Sequence, residues 1–421
     1  MRDPSPPVTD PTAETTARDR VAAARAAMVA RLEASGDLSP GQVRDALLTL
    51  PRERLMPQAY VRRSAPDETP PRWALLEWAV AENQEELLGV LYGGDSVLIQ
   101  HDDESILEQL PGPRSGGSIT SMSSTVAMTA GLLQLLDLRP GQRVLDVGTG
   151  AGVTAAVACW VCGDAGVVTL DRDPHVSAAA GARLSDLGHT PVVVTGDGAA
   201  GWSEQAPYDR VFVSYAVPRF PWAWVAQLAS GGLALANLST TSPSWPGLAV
   251  VAKTPKGRVE AELRAVEFGH RPVHGFDRIF LSAMFRDRIA AGGGLTTHSR
   301  TAPPSDRARG MWLALDHLHP GLVRNWAADH LVIGAPACGS WLTVRPDRSG
   351  GWAFTAAGPR GIRDEIQDTA ARWQAAGEPE TYRLHLASDG TQQVSAGAGP
   401  NELSWALPAA NHRDDETGDS R

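Results

Sequence analysis

Three glycines fall within the nine residues Val144-Leu145-Asp146-Val147-Gly148-Thr149-Gly150-Ala151-Gly152, between an apolar run and a helix-forming stretch. Glycines at such a turn let the backbone approach a ligand and adopt positive φ, while the helix that follows offers free N–H groups. Nucleotide-binding and methyl-transferring folds both use such a turn, so it identifies neither alone. Asp171 ends a second apolar run about twenty residues on, where a carboxylate can accept both ribose hydroxyls of an adenosine. Asp197 follows a third run, in Gly196-Asp197-Gly198, placed to reach an adenine amino group. Three acceptor-lined turns at the carboxyl ends of successive strands outline a nucleoside pocket, and no basic residue accompanies them for a pyrophosphate. This favours S-adenosyl-L-methionine over NAD. The alternative, tight-turn glycines with solvated carboxylates, does not explain why all three signals fall at strand ends.

These residues need a particular scaffold. RVLDV (143–147), VVTLD (167–171), PVVVT (191–195), RVFVS (210–214) and LALANL (233–238) are short apolar runs of the kind buried in a parallel sheet, with helical stretches between several of them. The expected fold is therefore α/β, a doubly wound Rossmann-like sheet binding its ligand beyond the strands' carboxyl ends. GLAVVAK and RVEAELRAVEF should complete the sheet with antiparallel strands. Around this core the sequence predicts a disordered lead-in over 1–15, amphipathic helices over 16–60 (one spanning Thr16 to about Ser35, the next starting near Ser39-Pro40) and a core over 116–275. Residues 61–115 are set apart, with a helix from Trp73 to about Leu88, a strand over Val97–Gln100, and loops at His101–Glu104 and Pro111–Gly117. A tryptophan-rich α+β domain over 276–410, with one helix at Ile362–Ala376, and a polar tail over 411–421 end the chain.

With 421 residues, 43% of them hydrophobic and 20% charged, the chain can bury a globular core. Its net charge of −10 opposes nucleic-acid binding. The first twenty residues lack a signal-peptide core and no apolar stretch is long enough to span a bilayer, which predicts a cytoplasmic protein with no membrane partner. Cys159 and Cys162 form a C-x-x-C inside a predicted helix, where buried thiols pack well, so a structural role is expected. His317, His319 and His330 lack metal-ligand spacing, and no metal is predicted.

The motifs together resemble the protein-L-isoaspartate O-methyltransferase family. The resemblance runs through PRERLMPQAY (51–60), GSITSM, RPGQRVLDVGTGAG, LDRD, GDGAAGW (196–202), APYDRVFVSYAVPRFP (206–221) and QLASGGLALANL (227–238). It covers roughly residues 20 to 275, about the size of one domain. It implies methyl transfer from S-adenosyl-L-methionine to an aspartyl or isoaspartyl carboxyl group of a peptide or protein. It also implies a cofactor set of Asp146, Gly148, Thr149, Gly150, Gly152, Asp171, Asp197 and Gly198. The family's T-I-S-x-P acceptor segment corresponds to Ser118-Ile119-Thr120-Ser121-Met122, so Thr120 stands at the serine position and Met122 at the proline. Thr120 and Ser121 are the candidate acceptor-positioning residues. Ser121 and Ser123 read equally as a serine-rich cap before TVAMTAGLLQLL.

The departures lie on the acceptor side. Roughly sixty residues separate the PRER motif from the acceptor segment, a length that is normally functional or structured. Altered acceptor motifs with an added carboxyl-terminal domain look like the family variants of ribosomal-peptide maturation, notably lanthipeptides. These methylate one aspartate of a cyclised peptide, whose ester then closes to an aspartimide. General repair of isoaspartyl proteins, a small-molecule methyltransferase and a non-catalytic peptide-binding scaffold are the alternatives. The acidic run Asp102-Asp103-Glu104 reads either as a docking surface for a basic or amino-terminal partner or as a solvated loop. The tryptophans Trp312, Trp326, Trp341, Trp352 and Trp373 read as core or as a peptide groove.

Overall fold

The computed structural model describes residues 11–65, 68–240, 242, 247–266, 281–326 and 330–409. The lead-in at 1–10 and the tail at 411–421 lie outside the described residues. The first helix, α1 (Pro11–Ser35), starts inside the expected lead-in, with proline at a first-turn position where its missing N–H costs nothing. Then come α2 (Gln42–Thr49), with Gly41 at its N-cap, two to three residues beyond the expected start near Ser39-Pro40, and α3 (Arg52–Leu55).

Residues 58–123 fold into their own five-stranded antiparallel sheet. Its members are β1 (Gln58–Arg62), β2 (Arg72–Glu77), β3 (Val97–His101), β4 (Gly112–Ser115) and β5 (Ile119–Ser123), in the order β4-β2-β1-β3-β5, with α4 (Gln84–Tyr92) between β2 and β3. This corrects three expectations. Residues 73–77 are strand, not helix, because β1 pairs with them from Gln58↔Glu77 to Arg62↔Trp73, a non-local ladder that no local periodicity reveals. Residues 112–115 pair as an edge strand, where Pro113 forfeits no interior hydrogen bond. The boundaries at 60/61 and 115/116 also fail, since the sheet takes β1 and β5 from either side of the inserted segment.

The main sheet follows α5 (Val126–Leu136): β6 (Val144–Val147), α6 (Val153–Cys162), β7 (Val167–Asp171), α7 (Pro174–Asp186), β8 (Val192–Thr195), β9 (Tyr208–Val217), α8 (Trp222–Gln227), β10 (Leu228–Leu238), β11 (Gly247–Lys253) and β12 (Val259–Ala265). Strands β6 to β10 pair in parallel, and β11 and β12 antiparallel, as expected. Nine of ten residues of α6 are buried between this sheet and the amino-terminal helices, which accounts for its almost wholly apolar sequence. Cys159 and Cys162 both lie in that buried set, as unpaired thiols.

Next come α9 (Ala283–Ala290), β13 (Leu295–Ser299), α10 (Arg309–Leu318), β14 (Val323–Trp326), β15 (Leu331–Ala335), β16 (Ser340–Pro346), β17 (Trp352–Ala357) and α11 (Ile362–Ala375). The five strands form a separate antiparallel sheet, β13-β17-β16-β15-β14. The final three, β18 (Thr381–Leu386), β19 (Gln392–Ala396) and β20 (Leu403–Ala406), return to the main sheet through β18 on β12 and make it ten-stranded. The additional carboxyl-terminal α+β region expected over 276–410 is present, with its own five-stranded sheet. Its end completes the core sheet, and Trp312, Met311 and Tyr382 share one buried cluster with Leu145 and Val147. Each such buried side chain stabilises the fold by roughly 1.5–3 kcal/mol. Trp312, Trp341 and Trp373 are buried core residues.

Candidate active site

Strand β6 is the switch point of the main sheet, with β7 and β8 on one side and β9 and β10 on the other, so a crevice opens above its carboxyl end. A cavity fills that crevice. Its floor is the loop after β6, where Gly148 has φ of 92° and a side chain would meet Tyr215 Cδ1 at 3.0 Å. Gly148, Thr149, Gly150, Asp171, Asp197 and Gly198 all line it.

The carboxylates are held by backbone. Asp171 Oδ2 accepts the Gly150 N–H (3.1 Å) and Oδ1 the Asp173 N–H (3.1 Å). Burial raises its pKa above the ordinary value against the pull of those two N–H groups. Asp197 caps the short turn that follows it, accepting the Ala199 N–H at 2.9 Å. Gly198 is bonded through its carbonyl to Trp224 Nε1 (2.8 Å).

Two of the expected cofactor residues stand elsewhere. Gly152 (φ 79°) does not line the cavity, and a side chain there would touch Leu184. Asp146 is fully buried behind the loop, where Thr169 Oγ1 donates to its Oδ2 at 2.8 Å and Thr149 Oγ1 lies 2.7 Å from Thr169 Oγ1. Burial pushes the Asp146 pKa up to about 8. Asp146 alternates along β6 with Val147, which lines the cavity, so its side chain lies on the other face of the strand, bonded to Thr169.

The opposite wall comes from the inserted sheet. Thr120, Ser121, Met122 and Ser123 of β5 line the cavity with Gln100 of β3 and Asp103. Gln100, only 1% exposed, is a hub. Its Oε1 accepts the Thr120 hydroxyl (2.9 Å), and its Nε2 donates to Asp173 Oδ2 (2.7 Å) and to the Glu104 carbonyl (3.1 Å). Because the Asp173 N–H in turn bonds Asp171, a chain of hydrogen bonds runs from β5 through Gln100 and Asp173 to the Asp171 carboxylate. The expected role of Thr120 changes accordingly. Its hydroxyl proton is committed to Gln100, and its oxygen accepts the Asp103 N–H at 3.1 Å. Ser121 and Ser123 sit in strand β5, not in a helix cap, and the Ser121 hydroxyl faces the cavity without a protein partner among the described residues.

Sequence reasoning missed Gln100, Asn237, Ser214 and Tyr215, all of which line the cavity. Asn237 carried a readable signal, as a polar residue amid LALANL. It is 1% exposed and its Oδ1 has no partner among the described residues. A polar group buried that deeply without a partner is costly unless a ligand satisfies it.

Outside the cavity, Cys159, Asp164 and His189 come together, with ligand atoms all within 4.8 Å of one another. Asp164 accepts from the Thr190 N–H (3.0 Å) and lies 3.1 Å from His189 Nδ1, while burial raises the pKa of the Cys159 thiol. This joins the end of α6 to the turn before β8. His317 is buried against Trp405, and burial lowers its pKa to about 4.

The donor set fits S-adenosylmethionine: glycine backbone, two acceptor carboxylates, an orphaned buried amide oxygen, and Arg172 as the one cation among the described lining residues. Fold and cavity define the class of S-adenosylmethionine-dependent methyltransferases. Residues 114–263 match the family described as protein-L-isoaspartate(D-aspartate) O-methyltransferase. Among relatives named protein-L-isoaspartate O-methyltransferase, that of Ignicoccus hospitalis is 37% identical over 163 residues, covering 38% of this chain and 75% of that one. That of Aeropyrum pernix is 37% identical over 171 residues, 40% of this chain and 64% of its own, and that of Methanococcus maripaludis strain C5 is 44% identical over 119 residues, 28% and 56%. A solved protein-L-isoaspartate O-methyltransferase aligns over 91% of this chain and 98% of its own, with a TM-score of 0.45 and 19% identity. The chain belongs to the protein-L-isoaspartate O-methyltransferase family, whose members are S-adenosylmethionine-dependent O-methyltransferases.

Proposed function

We propose that this chain methylates the side-chain carboxylate of an aspartyl residue in a ribosomally made, cyclised precursor peptide of the lanthipeptide kind. The observation that carries the carboxylate assignment is the cavity lining, which has hydroxyls at its acceptor end and, among the described residues, no histidine, lysine, cysteine or glutamate, its titratable acids being Asp103, Asp171, Asp173, Asp197 and Tyr215. A carboxylate is already ionised and nucleophilic at pH 7, so it needs no such base. When bound, S-adenosylmethionine supplies a methyl group on a sulfonium cation. Transfer to a carboxylate cancels the two charges, so walls that exclude water and line up the reactants do most of the work. Here Ser121 aims the acceptor oxygen, Gln100 holds its strand in register with the cofactor side, and Asp171 and Asp197 hold the nucleoside. The ester so formed loses the repulsive charge of the carboxylate, and the next backbone nitrogen can close on it to an aspartimide by proximity alone.

The peptide-maturation assignment is supported by the acceptor wall. An additional five-stranded sheet carries β5, and the ten-stranded main sheet incorporates the carboxyl-terminal strands. General repair of isoaspartyl proteins is the second reading, favoured by the names of the relatives. Among the described residues no helix is long and apolar enough to cross a membrane. We place the activity in the cytoplasm, where cysteines stay reduced, in keeping with three free thiols.

The discriminating experiment is mass spectrometry of the protein with S-adenosylmethionine and two acceptors, a generic isoaspartyl peptide and a cyclised precursor encoded beside its gene. A methyl gain on the precursor alone, followed by net loss of water, establishes maturation. Equal methylation of the generic peptide establishes repair instead.

A further inference from the structure

The acidic run Asp102-Asp103-Glu104 is not a uniform patch, because the fold uses its three carboxylates differently. Asp102 Oδ1 accepts the Ser118 N–H at 2.7 Å, and its Oδ2 lies 3.4 Å from His101 Nδ1. Glu104 accepts the Tyr60 hydroxyl and pairs with Arg114 (3.4 Å). Those two carboxylates are spent on holding the loop. Asp103 has no side-chain hydrogen bond or ion pair among the described residues, yet it lines the cavity. Its backbone takes φ of 55°, directly after Asp102 at 49°. Two successive left-handed non-glycine residues are unusual, and aspartate is among the few types that tolerate the conformation. The Thr120 oxygen fixes the same residue by its N–H. Asp103 is therefore pinned beside the acceptor strand with a bare, solvent-facing carboxylate at the cavity mouth.

A bare carboxylate at the mouth of a site for carboxylates repels the acceptor unless the acceptor brings its own cation. We infer that Asp103 forms a cation-accepting subsite, and that the peptide acceptor presents an ammonium or guanidinium group next to the carboxyl that is methylated. This deepens the carboxyl-methylation reading and rests on it. An exposed ion pair contributes at most about 1 kcal/mol, so the preference should be about threefold to fivefold rather than absolute.

The test uses the full chain with a synthetic library of cyclic heptapeptides, each holding one aspartate with randomised neighbours. Peptides retained by the protein with S-adenosylhomocysteine, and peptides methylated with S-adenosylmethionine, are both sequenced by mass spectrometry, for wild type and for Asp103→Asn and Asp103→Lys. Enrichment of lysine or arginine beside the aspartate in wild type, its loss in D103N and its reversal towards acidic neighbours in D103K support the subsite. Methylated products without cation enrichment overturn the subsite and leave carboxyl methylation standing. Asp103-dependent retention of cationic peptides with no methylation keeps the subsite and sinks the carboxyl-methylation reading; absence of both effects ends both. Calorimetry with the two cofactor forms closes the other route. A D103N protein that loses affinity for S-adenosylmethionine but not for S-adenosylhomocysteine would put Asp103 at the sulfonium, against the inference.

Discussion

The two walls of the cavity reach their ligand-facing groups by different means. On the wall proposed to hold the cofactor the groups lie on one strand-turn-helix sequence and its two neighbours, and backbone N–H groups orient the carboxylates, as Gly150 and Asp173 do for Asp171. On the wall proposed to hold the acceptor the orienting groups are side chains from different strands, with Gln100 of β3 holding Thr120 of β5 and reaching across to Asp173. Backbone geometry is set locally and tolerates many side chains nearby. A side-chain hub depends on one residue and on the register of a whole sheet. The cofactor wall should therefore be robust except at its ligating groups, and the acceptor wall should be fragile at its supports.

Replacing a ligating group gives the largest effect. Asp171→Ala removes an acceptor held by two N–H groups, and hydrogen bonds to a charged group contribute about 1.5–3 kcal/mol, so S-adenosylmethionine affinity should fall roughly ten- to hundredfold. Isothermal calorimetry checks this, and an unchanged affinity would remove Asp171 from the cofactor site. Next comes the hub. Gln100→Leu keeps the volume while removing all three of its side-chain hydrogen bonds, to Thr120, Asp173 and the Glu104 carbonyl, and kcat/KM for the acceptor should drop about tenfold or more. Its S-adenosylmethionine affinity should move less than about threefold, because none of the Gln100 hydrogen bonds is made to Asp171 or Asp197 themselves. Equal losses on both sides would show that the walls are one unit and dissolve the comparison. Smaller still is Ser121→Ala, expected to lower kcat by about threefold to tenfold, as for one neutral hydrogen bond. Ser121→Thr should restore part of that loss, which a purely structural role would not predict, since the extra methyl crowds a buried position.

The same contrast explains what the residues disclose on inspection. That the glycine loop, Asp171 and Asp197 meet at one crevice was legible because the signal lies in spacing along one chain segment, and the parallel strands because both faces are apolar. Residues 73–77 were not, since Trp73-Ala74-Leu75-Leu76 suits a helix as well as a strand until β1 and β4 pair with it from both sides. Gln100 gives no local hint at all, being one glutamine in a five-residue strand, and becomes a hub only when β5 is laid beside it. The return of β18 to β12 was equally hidden, because it joins Thr381–Arg383 to Glu262–Arg264 across more than a hundred residues, a pairing that carries a loop-closure cost but no sequence signature.

Asp146 sharpens the comparison, because it stands in the same motif as the residues proposed to hold the cofactor yet is fully buried. With burial pushing its pKa up to about 8, the side chain is largely protonated at neutral pH, and Asp146→Asn replaces it by a neutral group of the same shape. S-adenosylmethionine affinity at pH 7 should then change by less than about twofold, under 0.5 kcal/mol. The pH dependence of stability follows from the sign of the shift. In the unfolded chain the carboxyl ionises near its ordinary value, whereas in the folded chain it keeps its proton up to about 8, so the folded state binds more protons across that window. Stability from this group is present below the unfolded pKa and is lost as pH rises through about 8. Asparagine cannot ionise, so denaturant melts should show the variant gaining on wild type steadily from pH 4 to 8 and levelling off above it. A constant difference across that range would mean that Asp146 is ionised in the fold. In that case a cation or a ligand amine must reach it, and it would belong with Asp171 rather than beneath it.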